Sequence, residues 1–324
     1  MLKTTAVAGS FGLAGSSENE IKEIGQKIHR NMAKVMIGKD ETITLSLVAL
    51  LAEGHILLED VPGVGKTTLL KALARSLGAD FRRIQFTPDV LPSDLTGVSI
   101  YDQRSGEFQY HPGPLMSNLV LADEINRASP KTQSALLECM EEKQVSVDGR
   151  TMMVPRPFFV MATQNPHEFH GTYPLPESQL DRFLFTLSLG YPTPEEEIAM
   201  LERYQQTEPL DNLPVVFPIE ELPRLHKQVR HVHVSDSIRQ YTVWIIHSLR
   251  AHQAVTLGIS PRGTLLLVRA AQALAALSGR SYVLPDDVKY LAKPTLRHRL
   301  VVTGKATPEM LIQEVLDTTQ VPGQ

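Results

Sequence analysis

One cysteine, Cys139, is too few for an internal disulfide, which excludes the secreted, cystine-stapled class and points to a reducing cytoplasm. An excess of either charge is also missing: 32 Lys+Arg against 36 Asp+Glu leave a formal net charge of -4, so no global basic field advertises nucleic acid or an anionic membrane. No apolar run approaches the ~18 residues needed to cross a bilayer; even Phe158 to Ala162 is closed off by Thr163, Gln164 and Asn165. Residues 1–17 are rich in Gly, Ala, Ser and Thr with only Lys3 charged, too interrupted for a signal-peptide core, and are expected to form a mobile tail. Internal repeats and low-complexity blocks are absent. What is present is an ordinary globular composition, 42% hydrophobic and 21% charged. A chain of 324 residues is about two domains' worth at roughly 150 residues each.

From residue 18 to about residue 190, short apolar runs alternate with helical patterns, the signature of a parallel sheet with crossover helices. His55 to Glu59, Phe81 to Phe86, Asn118 to Ala122, Phe158 to Thr163 and Phe183 to Leu189 are the expected strands, each followed by a polar or glycine-bearing break. Two more segments read as inserted hairpins: Gly97 to Tyr101 with Glu107 to His111, and Gln144 to Val147 with Thr151 to Val154 around Asp148-Gly149-Arg150. Residues 191–324 change character. Pro194 to Gln205, Ile219 to Val229, Ser235 to His252, Pro261 to Leu277 and Pro285 to Lys293 carry apolar residues at three-to-four spacing, so a separate all-α domain is expected. Its longest helix opens with Ser260 as N-cap and Pro261 in the first turn, and closes near Gly279.

The segment from His55 to Thr68, HILLEDVPGVGKTT, runs strand, glycine-bearing turn, helix. Glycines let successive backbone N–H groups converge on an anion, and a helix beginning near Lys66 places its positive dipole end beneath it. Pro62, Gly63, Val64, Gly65, Lys66, Thr67 and Thr68 are therefore expected to cradle the phosphates of ATP, Lys66 pairing with the β- and γ-phosphates and Thr67 helping to hold Mg²⁺. The full P-loop pattern asks for Gly six residues before the lysine; this chain has Asp60. A second run, NLVLADE from Asn118, ends an apolar strand on two carboxylates. Strand C-termini face the ligand crevice of open α/β sheets, so Asp123 is expected to order the Mg²⁺ shell and Glu124 to polarise an attacking water. Acidic strand ends are common on their own; the P-loop is what gives this pair a role. Asn165 ends the next strand at the same edge and is expected to position that water, although Asn165-Pro166 also suits a plain turn.

Together, VPGVGKT from Val61, LADEINRA from Leu121, ATQNP from Ala162 and LDRF from Leu180 resemble the MoxR family of AAA+ ATPases. The same pattern includes QFTPD from Gln85, LPSDLTG from Leu91 and TQSALLE from Thr132, so the resemblance spans nearly everything after the tail. It implies a P-loop core of five parallel strands with helices on both faces and two inserted hairpins, then a helical lid. It also implies Walker A, Walker B and first-sensor roles for the groups above. Arg182 becomes the finger reaching a γ-phosphate bound by a neighbouring subunit, with Arg127 as an alternative. Arg262 sits in a first turn where the helix dipole disfavours a cation, and in the family an arginine there is the second sensor, acting on its own or a neighbour's nucleotide. Ile37 and Gly38 fall where AAA+ proteins contact adenine. Gln85 is a candidate partner that holds Glu124 back until a target engages.

Other features carry less. His231 and His233 lack a third ligand nearby, Glu195-Glu196-Glu197 suit a helix start, and Cys139 reads as buried and inert. The expected activity is Mg²⁺-dependent ATP hydrolysis by a ring, a hexamer in the family. Its work would be chaperone-like remodelling or metal-centre maturation of a protein client, with a von Willebrand factor A domain protein as partner. The competing readings are a nucleic-acid translocase, disfavoured by hairpin tips that mix Arg104 and Arg150 with Asp102, Glu107 and Asp148, and a scaffold that binds ATP without turnover.

Overall fold

Five of the apolar runs pair side by side, all in parallel: β1 (Ile56–Glu59), β2 (Phe81–Gln85), β3 (Leu119–Asp123), β4 (Phe159–Gln164) and β5 (Phe185–Leu187), in the order β2-β3-β4-β1-β5. The computed structural model describes residues 14–165, 171–204 and 209–322, with side chains from residue 19 onward. Pro166 of the Asn165 motif and residues 1–13 of the expected tail lie outside the described residues.

Successive strand residues point to opposite faces, and here both faces are covered. Ile56, Leu58, Leu119, Leu121, Phe159 and Met161 enter one core, while Leu57, Val120, Ala122, Val160 and Ala162 enter another on the far side. That two-sided burial explains why these strands read as unbroken apolar runs. Both hairpins form, Gly97–Asp102 with Glu107–Pro112 and Gln144–Val147 with Arg150–Met153. The second turns on Asp148 and Gly149 at φ 50 and 74, the left-handed pair that a two-residue hairpin loop requires.

The longer helices are α1 (Ala14–Ala33), α2 (Asp40–Leu51), α3 (Lys66–Leu77), α4 (Pro130–Glu142), α5 (Pro194–Tyr204), α6 (Leu222–Arg230), α7 (Asp236–Ala251), α8 (Pro261–Leu277), α9 (Pro285–Leu296) and α10 (Pro308–Thr318). Because α1 begins at Ala14, residues 14–17 belong to a helix and not to a tail. Periodicity misses α2 because nine of its 12 residues are buried and it has no polar stripe. The C-terminal region is mostly helical, not all-α: Val255–Leu257 and Val301–Val302 pair as a short antiparallel ribbon.

Two ion clusters tie the layers, one buried around Arg299 and one part exposed around Glu53. Arg299, 5% exposed, donates to Asp181 Oδ1 at 2.8 Å and to the carbonyls of Asp181, Phe183 and Leu184, joining the C-terminal region to the segment before β5. Burial pushes its pKa down to about 10, with Asp181 opposing the shift, so it stays charged at neutral pH. Glu53, in a left-handed turn after α2, receives Lys143 Nζ at 3.0 Å and pairs with Arg230 of α6. Burial disfavours its ionisation, but Lys143 and Arg230 outweigh that and bring the carboxyl from 4.5 down to about 2. A lowered folded-state pKa stabilises above the unfolded value and is lost as pH falls through the folded one. Glu53→Gln is therefore expected to cost about 2 kcal/mol at pH 7, allowing for solvent screening. Chemical denaturation in a pH series should show the gap from wild type closing between pH 4.5 and about 2.

Candidate functional site

The sheet order brings the segments after β1, β3 and β4 to one carboxyl edge. After β1 the chain turns through Gly63 and Gly65 at φ 90 and 96, conformations that glycine alone adopts without strain. A Cβ at Gly63 would meet nothing within 4 Å, and one at Gly65 only Met36 Cε at 3.9 Å, so an open concavity faces the turn. Helix α3 starts at Lys66 with no side-chain cap, which leaves its first-turn N–H groups available to an anion.

Asp60, the departure from the P-loop pattern, is 5% exposed and fully engaged. Its carboxylate accepts from Ser188 Oγ at 2.6 Å, Leu189 N–H at 2.7 Å and Gly190 N–H at 3.1 Å, and its carbonyl accepts from Lys66 Nζ at 3.0 Å. It fastens the turn to the segment after β5, where a glycine could not.

At the end of β3, Asp123 Oδ1 accepts from Thr163 Oγ1 at 2.6 Å, and Oδ2 accepts from Arg83 Nη2 at 2.6 Å and Nε at 3.2 Å. Glu124 adopts φ 58 and ψ 48, a left-handed backbone uncommon outside glycine and typical of strain held at a site. Its N–H donates to Thr163 Oγ1 at 2.9 Å, and its Oε2 accepts from Gln85 Nε2 at 2.9 Å with Arg127 Nη1 at 3.4 Å. The Gln85–Glu124 contact expected from the sequence is present. Sequence reasoning missed Arg83 and Thr163. Period two puts Arg83 on Gln85's face of β2, and Arg83 Nη2 donates to Gln85 Oε1 at 2.9 Å, so the signal was there for Arg83.

Asn165 follows β4 at the same carboxyl edge, and Gln164 pairs in register with Glu59 just ahead of the glycine turn. Arg182 and Arg262 meet at a different carboxylate. Both face Glu141 of α4, Arg182 Nε at 3.2 Å from Oε2 and Arg262 Nη2 on Oε1. That anion accounts for a cation in the first turn of α8. Asp181 pairs with Ser260 and Arg299.

Beside the glycine turn opens a cavity of about 850 Å³, within the range of small-molecule sites. Val35, Met36 and Ile37 line one wall, Pro62 to Gly65 with Thr68 the floor, and Tyr191, Pro192, Glu197, Met200, Leu201 and Tyr204 the other wall. Gly38 is not in the lining; a Cβ there would meet the Glu196 carboxylate at 1.7 Å, so glycine allows α5 to close on this wall. The α5 wall was not anticipated, because its contribution depends on how the segment after β5 folds back.

Thr67, in the first turn of α3, and Asp123 offer a hydroxyl and a carboxylate, the hard oxygen ligands of a magnesium ion completed by phosphates. The residues fit that group. Among the described residues no helix is long and apolar enough to cross a membrane.

The profile of the ATPase family associated with various cellular activities (AAA) matches residues 55–185, and that of the AAA lid domain matches residues 247–319. The chain is 54% identical over 303 residues to the uncharacterized protein YeaC of Bacillus subtilis, covering 92% of this chain and 95% of that one. It is 44% identical over 328 residues to the chaperone MoxR1 of Mycobacterium tuberculosis, covering 97% and 85%. To the protein MoxR of Paracoccus denitrificans it is 34% identical over 309 residues, covering 87% and 91%. A crystal structure from Cytophaga hutchinsonii superposes with a TM-score of 0.89 at 35% identity, over 95% of this chain and 98% of that one.

Proposed function

Because this chain belongs to the MoxR family of AAA+ ATPases, we propose that it hydrolyses ATP with Mg²⁺ at the carboxyl edge of its sheet, as a ring whose sites are shared between neighbours. One observation carries this reading: an uncapped helix start behind two left-handed glycines faces the same edge as two carboxylates held in defined orientations.

In this reading the ATPase core runs to about residue 190 and the lid follows. The base enters the cavity beside Ile37, and the phosphates lie over Gly63 to Thr68 with Lys66 exchanging the Asp60 carbonyl for the β- and γ-oxygens. Thr67 and Asp123 would hold Mg²⁺, which would supply positive charge against the transferred phosphoryl group. Glu124, released from Gln85, orients a water and accepts its proton, and Asn165 fixes that water's position. Arg182 stabilises the transferred phosphoryl charge from the adjoining protomer, and Arg262 reports nucleotide state to the lid.

The work is done on a protein client in the cytoplasm, such as one acquiring a metal centre, with a von Willebrand factor A domain protein as partner and a hexamer as the working ring. Support for a protein client comes from the first hairpin, which exposes Ile100 (51%), Tyr101 (53%) and Phe108 (69%). Lys66→Ala is expected to weaken binding of a fluorescent ATP analogue at least about 100-fold, since it removes a charge-assisted contact to two phosphates. On its own, the variant is also expected to lose ATP-dependent assembly in sedimentation. Unchanged binding would remove Lys66 and this site from the mechanism.

A further inference from the structure

The C-terminal region meets the segment before β5 through a small set of polar contacts. Ser260 Oγ, at the start of α8, donates to Asp181 Oδ2 at 2.8 Å, and Arg299 Nε takes the other oxygen at 2.8 Å. The next residue on each side is an arginine or close to one, and both turn to Glu141: Arg262 Nη2 donates to Oε1, and Arg182 Nε lies 3.2 Å from Oε2 without hydrogen-bond geometry. One carboxylate thus serves two guanidinium groups. The three side chains are part exposed, at 29% for Arg182, 32% for Glu141 and 41% for Arg262, so water screens the pairs and they exchange readily.

Glu141 also has a telling position. It is the penultimate residue of α4, and the chain passes from α4 through Lys143 straight into the hairpin Gln144–Met153. The hairpin therefore springs directly from the helical turn that carries Glu141.

We propose that Glu141 is a positioning residue: it holds Arg182 and Arg262 side by side as their resting acceptor, and gives both up together to the triphosphate of a second copy of this chain. The proposal rests on the reading of Arg182 as the group that reaches a neighbour's nucleotide. Two guanidinium groups around one anion is the arrangement a terminal phosphate also demands, and a phosphate offers more charge and more acceptor oxygens than a carboxylate. The exchange therefore runs toward nucleotide when it is present and back to Glu141 when it is not. Since α4 leads into the hairpin, a client that shifts the hairpin changes how firmly the arginines are held, which ties client engagement to the ATP cycle through one side chain.

The test uses the full-length protein and separates KM from kcat for ATP in wild type, Glu141→Gln, Glu141→Asp and Arg182→Ala. With the competing charge gone, Glu141→Gln is expected to lower KM roughly three- to tenfold, the range for releasing two screened ion pairs, with kcat within about twofold of wild type. The ATP concentration at half-maximal assembly in sedimentation should fall by a similar factor, and Glu141→Asp should return both values toward wild type. An unchanged KM in Glu141→Gln alongside a dead Arg182→Ala overturns the proposal while leaving the shared site intact. A loss of kcat in Glu141→Gln matching that of Arg182→Ala also overturns it, because Glu141 would then be needed for turnover and not in competition with it. If Arg182→Ala turns over normally, the premise fails first and the proposal with it.

Discussion

Glu124→Gln is expected to lower ATP turnover by a factor of about 10²–10⁴, the usual contribution of a positioned general base, while ATP binding stays within about twofold of wild type. The physical reason is that glutamine preserves the size of the side chain and its capacity to bond Gln85 Nε2, whose 2.9 Å contact sets the resting orientation. The left-handed backbone at φ 58 and the N–H bond to Thr163 Oγ1 are also untouched by the change. What is lost is the ability to take a proton from water. Single-turnover release of labelled phosphate, read beside titration with a fluorescent ATP analogue, distinguishes the two effects. Turnover above a tenth of wild type would move the base role to another group. The same variant, loaded with ATP, should hold its client and partner long enough for both to be isolated with it.

The second large effect concerns a residue paired with Glu141 near the start of α8. Arg182→Ala is expected to lower turnover about 10³-fold or more, in line with arginine fingers, with ATP binding weakened no more than about tenfold. Arg182 is engaged only by Glu141 among the ion pairs of the described residues, on the side of the domain where α8 begins. If its target is a neighbour's phosphate, the loss is repairable in trans. An Arg182→Ala protomer keeps an intact P-loop, and a Lys66→Ala protomer keeps an intact arginine. Mixing the two inactive proteins should therefore restore part of the wild-type rate, whereas either alone should stay silent. Absence of any recovery in mixtures that co-assemble would place Arg182 outside the shared site.

Much of this is legible in the sequence, and the reasons are particular. Gly63 and Gly65 announce left-handed turns, Lys66 and Thr67 follow at the start of an amphipathic helix, and Asp123-Glu124 close an apolar strand. Ser260 and Pro261 mark the start of α8 to the residue. The misreadings have equally specific causes. Helix α2 is buried on every side and shows no stripe, and the ribbon Val255–Leu257 with Val301–Val302 is too short to register as alternation. Asp60 looked like a blemish in the motif. Its meaning lies in Ser188, Leu189 and Gly190, 128 to 130 positions away.

The sequence by itself determined the strand-turn-helix cradle, the acids at a strand end and the parallel two-sided sheet, because each depends on backbone preference or periodicity within a few residues. Tertiary structure decided which partners those groups have. Arg83 reaches Asp123 across 40 positions, and Glu141 reaches Arg262 across 121. Such pairings follow from the order of strands in the sheet and from how the helical region docks. Both are products of global packing, and no local pattern of residues encodes them.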